Sequence, residues 1–90
     1  MSAEPIEFEL SGEAVTVPRD VVRVLAAAAA ARAGISSRHR ELSLLLARSL
    51  ESGRAALGRA EVRALRAVLE ETEGALGPAA GELLRASASA

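Results

Sequence analysis

The sequence predicts a mainly α-helical domain, an N-terminal β-hairpin followed by a compact bundle of three to four helices. Three observations lead there. Ile6, Phe8 and Leu10 alternate with Glu7 and Glu9, and Val15 and Val17 flank Thr16, which is the period of half-buried strands. Beyond Pro18 the apolar residues recur at three- and four-residue intervals, the period of amphipathic helices. Gly34, Ser36, Gly74, Gly77 and Pro78 stand at the joints, where helices start and stop.

For the hairpin, a two-residue turn at Gly12-Glu13, with glycine first as a type II′ turn requires, pairs Leu10 with Val15 and Phe8 with Val17. Phe8, Leu10, Val15 and Val17 then share one face, opposite Glu7, Glu9 and Thr16. That face must lie on another element, because a two-stranded ribbon is marginal alone.

Pro18, with Asp20 close behind it, suits a helix start, since proline fixes φ and the acid complements the positive helix end. The first helix is expected over residues 18–33, loaded with Val21, Val22, Val24 and Leu25. An alanine run then permits close approach of a neighbour, and Gly34 stops the helix. Ser36 or Ser37 caps a second helix over residues 38–52, whose Leu42, Leu45, Leu46 and Leu50 form one stripe while Leu44 falls on the far side. A third helix is expected over residues 58–72. Leu57 and Val62 are spaced as a hydrophobic staple, Glu61 holds the capping-box position, and Val62, Leu65, Val68 and Leu69 form the buried face. Gly74 and Gly77 end it, and Pro78 starts a short fourth helix to Arg85 that carries Leu83 and Leu84. Residues 1–85 thus read as one domain and residues 86–90 as a flexible tail of small side chains.

Shifted by 40 positions, the stretch from Val17 to Leu25 falls on the stretch from Leu57 to Leu65, with Arg, Val, Arg and Leu coinciding. Gly34 meets Gly74, and Ser11-Gly12 meets Ser52-Gly53 after a one-residue gap. Duplication and chance similarity in an Ala-, Arg- and Leu-rich chain are the two explanations.

Composition narrows the function classes. The chain has no Lys, Asn, Gln, Cys, Tyr or Trp, and a single His and a single Asp, His39 and Asp20. Thiol nucleophiles, Schiff-base amines, histidine pairs and Cys/His metal clusters cannot be assembled, so no enzyme, cofactor or metal is expected. Half of the residues are apolar, but 21 are Ala and only Phe8 carries an aromatic ring, which makes the core aliphatic and thin. A small domain without disulfides or metal has to borrow stability, and self-association into a homodimer is the expected source. No apolar run is long enough to span a bilayer, and the acidic start of the chain lacks a basic leader, so a cytoplasmic location and no membrane partner are expected.

The net charge of −1 conceals a segregation. Residues 1–18 hold four Glu and no base, residues 19–66 hold ten Arg against four acids, and residues 67–90 hold four Glu and one Arg. Arg59, Arg63 and Arg66 share a face of the third helix, and Arg19 and Arg23 repeat the spacing on the first. These five are the candidate phosphate-binding residues, because guanidinium forks pair with phosphate oxygens. The competing reading pairs them with the acidic hairpin face or with Glu70, Glu71 and Glu73, and the missing Asn, Gln and Lys leave base readout to Arg alone. His39, between Arg38 and Arg40, reads as a surface histidine, and the Glu70–Glu73 run as a solvated face. The candidate partner surface consists of Phe8, Leu10, Val15, Val17, Leu44, Leu83 and Leu84, together with the hairpin edges; these either invite a second hairpin across a twofold axis or are covered by helices of the same chain.

Gly12-Glu13-Ala14-Val15-Thr16-Val17-Pro18, followed by Val21, Val24 and Leu25, resembles the leader segment of excisionase-type antitoxins and regulators of GC-rich bacteria. Val15-Thr16-Val17-Pro18 is also similar to the hairpin-to-helix step of AbrB-like swapped-hairpin regulators. Either resemblance, over about fourteen residues, implies a dimeric regulator associated with DNA. The residues themselves favour a non-enzymatic protein–protein interaction or oligomerisation module, an adaptor, assembly or regulatory subunit with a protein partner. The alternative is a DNA-associated regulator or antitoxin that binds phosphate through the Arg-rich face.

Overall fold

In the computed structural model, which describes residues 4–10, 12–76, 81–83 and 85–86, the N-terminal alternation forms the expected hairpin. Strand β1 (Ile6–Leu10) runs antiparallel to β2 (Glu13–Val17). The register differs by two residues from the expected one: Leu10 faces Glu13, Phe8 faces Val15, and Ile6 faces Val17. Gly12 adopts φ +89°, so the glycine serves the second position of the connection rather than the first. A two-residue shift keeps every side chain on its face and adds the match of Ile6 with Val17, which the expected register leaves unpaired.

Helix α1 (Arg19–Ala31) follows Pro18, which takes the N-cap position with φ −56°. It ends earlier than expected. A hydrogen-bonded turn over residues 32–35 carries Gly34, and the terminating bonds run from the Arg32 and Ala33 N–H groups to the Ala29 and Ala30 carbonyls at 3.1 Å. Helix α2 (Ser37–Ser52) is capped at its C-terminus by Gly53 at φ +82°, a left-handed position that suits glycine, with the Gly53 N–H on the Ser49 carbonyl at 2.7 Å. Helix α3 (Arg59–Leu76) passes through Gly74 instead of ending there. Its start is as expected: Leu57 and Val62 are both buried, and the Gly58 N–H donates to Glu61 Oε1 at 3.0 Å. The chain is helical again at residues 81–83 and 85–86; Gly77, Pro78, Leu84 and residues 87–90 lie outside the described residues. Ala86, assigned to the tail from sequence, is helical and buried.

A third strand, β3 (Arg54–Leu57), was not expected. It runs parallel to β1 with Phe8 opposite Ala55 and Leu10 opposite Leu57, giving the order β2-β1-β3. The molecule is thus mainly helical, as expected, with the N-terminal hairpin extended by β3 into a three-stranded sheet that carries helices on one face. Ile6, Phe8, Leu10, Val17, Ala55 and Leu57 point into the core, while Glu7, Glu9, Thr16, Arg54 and Ala56 form the open face. The core is closed by Val22, Leu25 and Ala29 of α1, Leu42 and Leu46 of α2, Val62, Leu65, Val68 and Leu69 of α3, and Leu83. Ala29 is fully buried, with Ala26 and Ala28 packed beside it, and α1 lies more extensively against α2 than against any other element.

The 40-residue echo has a structural counterpart. A glycine at positive φ, a strand ending in a buried apolar residue, one linker residue and a helix occur twice: Gly12, β2, Pro18, α1 and Gly53, β3, Gly58, α3. Val22 and Val62, Leu25 and Leu65 are buried at matching positions, and Arg23 and Arg63 are exposed at matching positions. β2 and β3 flank β1 on opposite sides and run in opposite directions, so the two units are disposed with an approximate twofold sense. Pro18 has no N–H, and Val21 stands at the place of the capping Glu61.

Candidate functional site

Most of the expected partner surface lies inside the chain's own core. Phe8, Leu10, Val17 and Leu83 are buried, and Val15 is half-buried against the core. Of the two readings of the hairpin face, cover by the helices that follow it is the one this fold adopts. The free β1 edge expected to receive a second hairpin is taken by β3, helped by the Glu7 N–H on the Gly53 carbonyl at 3.0 Å. The outer side of β2 borders the C-terminal helical segment, where Glu82 and Arg85 line a shallow depression with Glu13 and Thr16. Leu44 alone keeps the expected exposure, at 57%; Leu84 lies outside the described residues.

Leu44 lines a groove of about 400 Å³ between α2 and the outer edge of β3. Glu41, Leu44, Leu45 and Arg48 come from α2, Arg54, Ala55 and Ala56 from β3, and Glu61 from the start of α3. β3 is hydrogen-bonded to β1 on one side only, so the groove presents an unpaired strand edge among the described residues. Its chemistry is mixed: two leucines and two alanines together with two carboxylates and two guanidiniums. Two of those charges already have duties. Arg54 pairs with Glu9 across the open face at 3.3 Å, and Glu61 caps Gly58. Glu41 and Arg48 have no partner among the described residues and are exposed.

The five candidate phosphate-binding arginines do not act as one face. Arg19 is half-buried, its Nε donating to the Glu4 carbonyl at 3.2 Å and its Nη1 to the Leu50 carbonyl. Arg23 pairs with Asp20 at 3.2 Å, and Arg66 with Glu70 at 3.5 Å. Arg32 similarly pairs with Glu71, joining the end of α1 to α3. Arg59 and Arg63 remain exposed and without an ionic or hydrogen-bonded partner among the described residues, and they meet a third unpaired arginine, Arg38 of α2. Together with Ala60 these three line a shallow cleft of about 240 Å³.

No protein-family model, curated protein or solved structure matches this chain. The site must therefore be read from its own chemistry. Among the described residues there is no group of three or more His, Asp and Glu placed to hold a metal ion, and no helix long and apolar enough to cross a membrane. His39 is half-buried rather than on the surface, and neither ring nitrogen has a hydrogen-bond partner. Among the described residues no nucleophile is bonded to it.

From the sequence Arg48 and Glu41 read as ordinary charges on an amphipathic helix, and Arg38 stands out only as a neighbour of His39, not as a phosphate-binding residue. One signal was available for Arg38. It stands in a first turn that holds no acid, where a cation opposes the helix dipole.

Proposed function

We propose that this chain is a non-enzymatic protein-interaction module that assembles with a second copy of itself through the α2–β3 groove, serving as an assembly or regulatory subunit. The observation that carries the reading is the exposed Leu44 beside the unpaired edge of β3, in a groove edged by Glu41 and Glu61 on one hand and Arg48 and Arg54 on the other. In an isologous interface each residue meets the partner's counterpart of its own contact, so a patch carrying both signs in equal number is self-complementary. Edge-to-edge pairing of two β3 strands extends the sheet across the twofold axis and satisfies the free backbone groups, while Leu44 and Leu45 of each copy gain an apolar cover.

Static light scattering of the full chain over a wide concentration range tests this. The wild-type chain is expected at twice its monomer mass, and Leu44→Glu at the monomer mass with unchanged helical circular dichroism. A wild-type monomer throughout the range, or a Leu44→Glu dimer, removes the reading. The nucleic-acid alternative draws on a surface reduced by the intramolecular engagement of Arg19, Arg23 and Arg66, which leaves a compact cluster in place of a stripe that tracks a phosphate backbone.

A further inference from the structure

The cleft between the starts of α2 and α3 combines three features that folding alone does not account for. Arg38, Arg59 and Arg63 each lack an acid or carbonyl partner among the described residues, as do Arg40 and Arg48, whereas Arg19, Arg23, Arg32, Arg54 and Arg66 are engaged. Arg59 and Arg63 are spaced i, i+4 on α3, where like charges repel along the helix surface. Arg38 and Arg59 also occupy the first turns of their helices, the end at which a cation is disfavoured by the backbone dipoles. The like-charge spacing and the placement at helix starts each cost stability, and both coincide with the unpaired guanidiniums at one concavity.

An anion seated among the three arginines offsets both costs and supplies the partner they lack. Its class follows from the geometry. Three arginines brought to one cleft by two helices suit a group with several terminal oxygens and high charge, and phosphate meets that description better than a carboxylate. The cleft, at about 240 Å³, has room for a phosphoryl group and a few atoms of its ester, and is lined by three arginines and one alanine with no ring on which a base could stack. We propose that Arg38, Arg59 and Arg63 form a binding site for the phosphomonoester group of a small molecule, separate from the groove around Leu44.

The test is thermal unfolding of the full chain against inorganic phosphate and glycerol phosphate, each compared with chloride at equal ionic strength. Both phosphates are expected to raise Tm saturably, beyond the chloride effect. Arg38→Gln, Arg59→Gln and Arg63→Gln combined should lose that increment, and each single change should weaken the apparent affinity about tenfold, as expected for loss of one charge-assisted contact. The triple variant without ligand should melt at or above the wild-type temperature, because it relieves the repulsion; a structural role for these arginines would lower it instead. Arg40→Gln, exposed and outside both the cleft and the groove, should respond like the wild type. Equal effects of phosphate and chloride, a phosphate response that survives in the triple variant, or a triple variant destabilised without ligand overturns the proposal. So does steeply salt-dependent binding of a short DNA duplex without a response to either phosphate, which would assign the cluster to nucleic acid.

Discussion

His39 and Ser49 show how differently two polar side chains on the inner face of one helix are accommodated. Ser49 is fully buried, but its hydroxyl donates to the Leu46 carbonyl at 2.6 Å, so no bonding capacity is lost. The two ring nitrogens of His39 are shut off from solvent and have no partner, and a neutral imidazole forfeits both a donated and an accepted bond in such a place. Burial of unsatisfied polar atoms costs about 1–3 kcal/mol per group, more than an apolar replacement of similar bulk gives up in contacts. His39→Leu is therefore expected to stabilise the domain by about 1–2 kcal/mol, read from urea unfolding at fixed pH. A lower midpoint would mean that the imidazole makes a bond worth more than its burial costs. The inward position was legible in the sequence: His39 precedes Leu42 by three residues and Leu46 by seven, on the same stripe. The flanking Arg38 and Arg40 masked that spacing.

At the scale of elements, the end of α2 is the junction that holds the sheet to the helices. Gly53 closes the helix through Ser49 and passes its carbonyl to the Glu7 N–H, while Arg19 takes the Leu50 carbonyl and the Glu4 carbonyl. One guanidinium thus links the start of α1, the end of α2 and the segment entering β1. Arg19→Ala is expected to cost about 1.5–3 kcal/mol in urea unfolding, in line with charge-assisted hydrogen bonds in a half-buried setting. Arg23→Ala, which loses only an exposed contact to Asp20, should change stability by less than about 0.5 kcal/mol. Equal effects would show that the Arg19 bonds carry no stability. From sequence the two arginines were equivalent, since helical spacing reveals a shared face but not that the first residue of a helix reaches back to neighbouring elements. β3 was hidden for a related reason. Arg-Ala-Ala-Leu has no β-branched or aromatic residue and too few positions to display a period, and it forms a strand because β1 offers an open edge beside it. The helices and the hairpin, with long periodic patterns, were legible to within a few residues. The parallel between Ser11-Gly12 and Ser52-Gly53 was the one local trace of a second turn-and-strand unit.

Over the whole molecule, nearly all large apolar side chains are consumed by one core. Val24, Ile35 and Leu44 are the exposed large ones among the described residues, and of these only Leu44 lines the α2–β3 groove. The charge segregation evident in the sequence is partly neutralised by folding, through the pairs of Arg32 with Glu71, Arg54 with Glu9 and Arg66 with Glu70. Among the charges left unpaired are those of the arginine cleft and, at the groove margin, Glu41 and Arg48. If the groove is the contact between two copies, those two residues face one another's counterparts across the twofold axis, and their signs determine which chains can pair. Arg48→Glu makes the groove predominantly acidic and Glu41→Arg makes it predominantly basic. Each variant then opposes like charge to like charge in its own homodimer, whereas one copy of each restores opposite signs on both sides. Each purified variant is expected to be a monomer by light scattering, and an equimolar mixture is expected to recover the dimer mass. Both positions are exposed and make no intramolecular bond among the described residues, so neither change should alter the fold of the single chain. Homodimers of both variants at the wild-type affinity would place the contact elsewhere on the surface, and two variants that remain monomeric when mixed would separate the role of Leu44 from that of the charges around it.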